Sequence, residues 1–204
     1  MDAELVSLVS DIALGISAVV VAVVAFFGLR TWRKELTGKA KFDVARNVML
    51  LGFKLRENFK WARNPGGWSW EYANRTRQEN ESPELSAVLD QWYAKNQRLQ
   101  LLVENLQKLE EAAWEAEILL NEDSGKCVQE AFNTYRSSYA ELSSAIYSYF
   151  ETRHDEAIGQ DVRQRQEEQK ELKKEIYSAA RDDFSKRIDQ ATEQLATALK
   201  TYVK

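Results

Sequence analysis

The hydrophobic pattern begins with one long apolar run close to the N-terminus. No charged residue lies between Ile12 and Leu29, and the apolar character extends back to Leu5, so residues 5–29 form one candidate span. An α-helix rises about 1.5 Å per residue, so this length crosses a hydrocarbon core of about 30 Å. We predict a transmembrane anchor with its juxtamembrane helix over residues 1–36. A cleaved signal peptide begins with basic residues, whereas the segment before this run is acidic.

The flanks of the span predict its orientation. No Lys or Arg precedes it, and five follow it: Arg30, Arg33, Lys34, Lys39 and Lys41. Because Lys and Arg are retained on the cytoplasmic side, we expect the N-terminus outside and the remaining residues in the cytoplasm. Tryptophan and basic residues favour the interface between lipid and water. The predicted interface residues are Arg30, Trp32, Arg33 and Lys34.

Small residues share one face of the predicted span. They follow Asp11 at intervals of four and three: Asp11, Gly15, Ala18, Ala22 and Ala25. A helix face made of small residues lets transmembrane helices approach closely, which predicts self-association through this face. The alternative is that the stripe is chance, because Gly and Ala are common in membrane spans.

After the anchor, apolar residues recur at intervals of three and four, which is typical of amphipathic helices. We predict four helices at about 40–63, 84–121, 126–152 and 161–203, with a hinge at Thr37 and Gly38 and a loop over 64–83. Ser82 and Pro83 suit the N-cap and first position of the second of these helices. The basic helix 40–63 either packs in a bundle or lies flat on a membrane.

The predicted helix 84–121 carries a seven-residue repeat, the pattern of a coiled-coil core. Two core positions recur along it, the first at Leu85, Trp92, Leu99, Leu106, Ala113 and Leu120, the second at Val88, Lys95, Leu102, Leu109 and Ala116. Lys95 alone is polar. The predicted fold is therefore all-α: one transmembrane helix and, over residues 37–204, an elongated cytoplasmic antiparallel bundle or coiled-coil-like body.

The loop 64–83 is the best candidate for a protein-binding surface. Its aromatic and basic residues are Trp68, Trp70, Tyr72, Arg75 and Arg77. Aromatic and arginine side chains dominate the binding energy of many interfaces, and long loops are often functional. In the alternative, Trp68 and Trp70 cover the end of the bundle as a hydrophobic plug.

The formal net charge of −4 is unevenly distributed. Residues 30–77 hold twelve Lys or Arg and four acids, whereas residues 78–204 hold sixteen Lys or Arg and twenty-five acids. A basic segment beside the span favours contact with anionic lipid headgroups. The acidic remainder argues against nucleic-acid binding, which needs a continuous positive surface.

Known catalytic motifs are missing from the sequence. It has no phosphate-binding glycine loop, dinucleotide fingerprint, Cys-x-x-Cys or His-Glu-x-x-His. Cys127 follows Gly125 and Lys126 near a predicted helix start, a setting that can lower a thiol pKa, but an incidental cysteine is the simpler interpretation. The pairs Glu167–Glu168 and Asp182–Asp183 are expected to be surface acids. We therefore expect no enzyme, cofactor or metal site.

The junction between the span and the next helix carries a resemblance. The matching residues are Trp32, Arg33, Lys34, Leu36, Gly38, Ala45, Arg46, Leu55, Arg56, Arg63, Asn64 and Pro65. In these the chain resembles a group of uncharacterised bacterial single-pass membrane proteins with no assigned activity. The resemblance implies the same topology in a bacterial inner membrane, and nothing catalytic.

Two functions remain open at this point. The first is a non-enzymatic, self-associating scaffold or interaction protein, bound to the bilayer by its span and to a protein partner through loop 64–83. The alternative is a membrane-perturbing effector, whose assembled spans open a pore around Asp11 under the control of the cytoplasmic bundle.

Overall fold

A computed structural model describes residues 3–177 and 182–203, with side chains described over 14–177 and 182–203. Every regular element within these ranges is helical. The α-helices are α1 (Ala3–Ala62), α2 (Pro83–Leu119), α3 (Glu122–Ala157), α4 (Gln166–Ile176) and α5 (Asp183–Leu199), and two 3-10 turns occur at Ser69–Glu71 and Arg163–Arg165. The chain divides into two units, residues 1–43 and 44–204. The all-α prediction is confirmed for the described residues.

The first unit contains the N-terminal part of α1. All side chains from Leu14 to Lys39 are exposed, including the large apolar ones. The apolar part of this helix has a mean hydropathy of 2.1, and none of its residues is buried. By length and composition α1 is able to cross a membrane, and a signal sequence would meet the same criterion.

The predicted hinge at Thr37 and Gly38 is wrong, because α1 is helical through both residues. The Thr37 hydroxyl donates a hydrogen bond of 2.9 Å to the Arg33 carbonyl, one helical turn earlier. A single interior glycine costs a helix about 1 kcal/mol relative to alanine, which strong helix formers on both sides can offset. The local sequence therefore weakens the helix here without ending it.

The second unit is a helical bundle around one apolar core. From the last part of α1 it buries Val44, Ala45, Val48, Leu51, Leu55 and Phe59. These positions fall on one face at intervals of three and four, so this segment packs in the bundle, and the alternative that it lies flat on a membrane is not supported. The core positions of the predicted seven-residue repeat in α2 are also buried from Leu99 to Ala116. Lys95, which precedes them in the same repeat, is buried as well.

Helices α2 and α3 of this unit run antiparallel, and α4 and α5 both run antiparallel to α3. The start of α2 meets the end of α3, where the Trp92 and Tyr147 rings lie 4.8 Å apart. At the opposite end, a Cβ on Gly125 would come within 3.3 Å of the Glu117 backbone, so glycine permits the close approach of α3 to α2. In the middle of the bundle, the Tyr135 hydroxyl of α3 contacts the Thr192 hydroxyl of α5.

The predicted bounds of the third and fourth helices of the body differ from the structure. Helix α3 begins at Glu122, because the Asn121 side chain caps it by accepting from the Ser124 backbone N–H. The residues between the predicted helices 84–121 and 126–152 therefore belong to the first turn of α3. The single helix expected over 161–203 is instead α4 and α5, and the Asp182 side chain caps α5. Ser82 and Pro83 start α2 as predicted.

Candidate functional site: the loop after helix α1

The loop between α1 and α2 is fixed to the bundle by buried charges. Helix α1 ends at Ala62, and the last carbonyls of a helix have no partner within it. Two basic residues of α2, Lys95 and Arg98, donate to these carbonyls and to those of the loop. Both are on the core side of α2, where they are only 4% and 2% exposed.

Arg98 is the centre of this arrangement. Its guanidinium donates to the carbonyls of Trp61 (3.1 Å), Asn64 (2.9 Å) and Gly66 (2.5 Å). It also forms a bidentate pair with the Glu71 carboxylate, at 2.6 and 2.7 Å. Its Cζ atom lies 4.4 Å from the centre of the Trp61 ring. The flat, five-donor guanidinium can satisfy all these acceptors at once, which a lysine could not.

Glu71 in turn organises the short 3-10 turn. Its carboxylate accepts the Trp68 backbone N–H at 2.9 Å in addition to Arg98. Burial favours protonation of this group, but the hydrogen bonds from Arg98 and Trp68 and the positive charge of Arg98 outweigh it, so the pKa of Glu71 is lowered. A buried carboxylate with a bidentate partner fixes both position and orientation. The turn that carries Trp68 and Trp70 is therefore held rigidly.

Lys95 completes the cap on α1. Its Nζ donates to the carbonyls of Ala62 (2.7 Å) and Asn64 (2.8 Å) and lies 4.7 Å from the centre of the Tyr177 ring. Burial, followed by the neighbouring Arg98, lowers the pKa of Lys95 to about 7.

Arg63 links the same end of α1 to α4 and α5. It donates to the Glu175 carbonyl at 3.0 and 2.7 Å and pairs with the Asp182 carboxylate. The hydrogen bond from Arg63 holds the pKa of Asp182 well below its usual range. Asp182 was expected to be a simple surface acid, but its side chain both caps α5 and binds this buried arginine.

The two tryptophans of the loop are exposed on this fixed support. Trp68 is 54% exposed and Trp70 is 66% exposed. The alternative that they cover the bundle end as a plug is therefore wrong. The ring that does pack at this end is Trp61, under Arg98.

The arginines of the predicted binding surface are paired within the chain. Arg75 is nearly buried and forms ion pairs with Glu81 (2.7 Å) and Asp90 (2.6 Å). Arg77 is more exposed and pairs with Asp90 at 2.8 Å. Hydrogen bonds from Arg75 lower the pKa of Glu81 to about 2, and the same contact raises the pKa of Arg75. With Tyr72 half-buried, only Trp68 and Trp70 of the five predicted residues project freely.

The predicted residues of the first unit lie on the surface of α1. The interface residues Arg30, Trp32, Arg33 and Lys34 are exposed, as are the small residues Gly15, Ala18, Ala22 and Ala25. The side chain of Asp11 lies outside the described residues. The structure thus leaves the small face open along the part that it describes.

The remaining candidate chemistry is sparse. Cys127 lies in the second turn of α3, half-buried, and burial together with Glu130 raises the pKa of its thiol. The setting near the start of α3 therefore does not lower that pKa. No group of three or more His, Cys, Asp or Glu side chains within the described residues is placed to hold a metal ion.

Sequence reasoning missed the buried cations of this site. A lysine at a core position of the seven-residue repeat was the available signal, and Arg98 follows it by three residues, on the same helix face. The acceptors of these cations are backbone carbonyls and Glu71, which no side-chain pattern reveals in advance.

Comparison of the chain with protein-family models, with curated proteins and with solved structures gives no match.

Proposed function

We propose that this chain is a non-enzymatic, membrane-anchored helical interaction protein that offers Trp68 and Trp70 to a protein partner. The observation that carries the proposal is the exposure of both indoles, 54% and 66%, on a turn fixed by a buried ion pair. Rigid aromatic side chains lose little conformational entropy on binding and are enriched among the residues that dominate interfaces. The paired arginines of the loop support its shape and leave the two indoles as the contact surface.

The anchoring part of the proposal rests on α1. Its apolar length suits a bilayer, and basic residues follow the apolar run and none precede it. By the positive-inside rule, a bacterial inner membrane would then hold the N-terminus outside and the bundle in the cytoplasm as an elongated antiparallel body.

A site-specific photocrosslinker tests the partner surface. The full-length protein would carry p-benzoylphenylalanine at Trp70, with Trp114 as the matched control because it is a tryptophan of α2 that is 56% exposed. We expect one heteromeric adduct in native membranes from position 70, its loss in Trp68→Ala, and no such adduct from position 114. An adduct that survives Trp68→Ala, or equal adducts from both positions, would contradict the proposal.

Self-association through the anchor is a second part of the same proposal. The small residues of α1 are exposed, and close packing of membrane helices uses such residues. Crosslinking of the intact protein in membranes should give dimers or larger species, with fewer in Ala18→Leu/Ala22→Leu than in a control that changes Val19 and Val23 to leucine. A strict monomer at all concentrations would rule this part out.

A further inference from the structure

Lys95 is a buried cation at the end of α1 that has no carboxylate within ion-pair distance among the described residues. The cations Arg63 and Arg98 are buried beside it with the Glu71 carboxylate, and the part-buried carboxylates of Asp182 and Glu175 both interact with Arg63. Asp182 pairs with Arg63 and Glu71 pairs with Arg98. Lys95 is left with neutral acceptors, the two backbone carbonyls. Burying a charge without a counter-charge is costly, and a titratable group escapes that cost by neutralising.

Every element packed around Lys95 influences its charge. Arg98 on α2 and Arg63 beyond α1 oppose a positive charge on Lys95, whereas Glu71 of the 3-10 turn favours it. The end of α4 presents Tyr177, whose ring lies 4.7 Å from Nζ and favours the ammonium through a cation–π contact. Burial raises the pKa of Tyr177 itself to about 12, so the phenol stays neutral at physiological pH. Tyr149 of α3 packs against Tyr177.

The hydrogen bonds of Lys95 do not require its third proton. A neutral amine keeps two N–H groups, and Lys95 has two carbonyl acceptors, at 2.7 and 2.8 Å. Loss of one proton therefore removes the unpaired charge while both contacts to the chain at the end of α1 can remain.

We infer that Lys95 is a proton-responsive group, which gives up its third proton more readily in the folded chain than an ordinary lysine does and thereby removes an unpaired charge from the junction between α1 and the loop. The inference does not depend on the proposed partner surface. Lys95 has a pKa of about 7 in the folded chain against 10.5 for an ordinary lysine. Between these two values the unfolded chain binds more protons than the folded one, so stability rises with pH across that window. Below about pH 7 this rise is absent.

The direct test is an NMR titration of the full-length protein, labelled with ¹³C and ¹⁵N at lysine, in nonionic detergent micelles. The signal that disappears in Lys95→Met identifies Lys95. We expect a titration midpoint near 7, and a midpoint near 10.5 would overturn the inference. Glu71→Gln removes the one carboxylate that favours the ammonium, so the midpoint should fall, by about one unit for a charge at this range. A higher or unchanged midpoint in Glu71→Gln would also overturn it.

Stability provides a second readout. Urea unfolding between pH 6.5 and 9 should show stability rising with pH in the native chain, and a much smaller rise in Lys95→Met. The control is Lys108→Met, which removes an exposed lysine of the same helix and should keep the full rise. Equal slopes in all three proteins would contradict the inference, and the NMR titration decides alone if Lys95→Met does not fold.

Discussion

Among single residues, Tyr135 shows how the bundle core accommodates a polar atom. Its ring is fully buried and stacks near Phe59, and its hydroxyl lies 2.8 Å from the Thr192 hydroxyl. Thr192 donates its own proton to the Ile188 carbonyl, so Tyr135 is the donor to Thr192. Burial raises the pKa of Tyr135 to about 12.

The Tyr135→Phe substitution should destabilise the fold by about 1 kcal/mol, because it removes one buried hydrogen bond and leaves the ring in place. The matched control is Tyr147→Phe, since Tyr147 is 49% exposed and its hydroxyl is 3.4 Å from Asn96. Urea denaturation of both variants measures the difference. Equal effects of the two substitutions would show that the buried hydroxyl contributes no net stability.

At the scale of elements, the loop after α1 is held by Glu71. This carboxylate binds Arg98 and the Trp68 backbone together, so it connects α2 to the turn that displays the tryptophans. Glu71→Gln keeps the shape of the side chain and removes its charge, which weakens both contacts. Because local opening exposes backbone to proteases, chymotrypsin should cut after Trp68 and Trp70 several-fold faster in this variant.

Two controls define the outcome of that proteolysis experiment. Glu79→Gln changes an exposed acid of the same loop and should leave the cleavage rate unchanged. Far-UV circular dichroism should show the same helix content in all three proteins. Cleavage that is equally fast in the native chain would mean that the ion pair does not hold the turn.

The helices with a regular apolar period could be predicted from the sequence, whereas the residues at which they begin and end could be predicted less well. Apolar periodicity located α2 and the buried face of α1, because each depends on many positions with the same period. Gly38 was interpreted as a hinge, yet it lies inside α1, since a single glycine is outweighed by its neighbours. The split before α5 depends on the tertiary contact between Asp182 and Arg63, 119 residues apart, which local sequence does not contain.

The candidate site was predictable only in part for the same reason. Its exposed tryptophans stood out by residue type and by their place in a long loop. The pairing of Arg75 with Glu81 and Asp90 was not visible, because it depends on how the loop folds back onto α2. Of the five predicted contact residues, Trp68 and Trp70 are exposed without an ion-pair partner, Arg77 is exposed but paired with Asp90, and the other two support the loop.

For the whole molecule, the single cysteine offers a reporter of topology. Cys127 lies in α3, and burial raises the pKa of its thiol, so labelling at neutral pH is expected to be slow. At about pH 8.5 more of the thiol is ionised and reacts with a membrane-impermeant maleimide. If the bundle is cytoplasmic, intact spheroplasts should leave Cys127 unlabelled, and permeabilised ones should label it.

The reciprocal experiment places a cysteine before the span. In Ser7→Cys/Cys127→Ser the only thiol precedes the charge-free run, and the positive-inside rule puts it outside. Intact spheroplasts should therefore label this variant without permeabilisation. Labelling of Cys127 in intact spheroplasts would show that the bundle lies outside, the opposite of the predicted orientation. Recovery of the bundle in the soluble fraction, without residues 1–29, would instead show that the apolar segment is removed as a signal sequence.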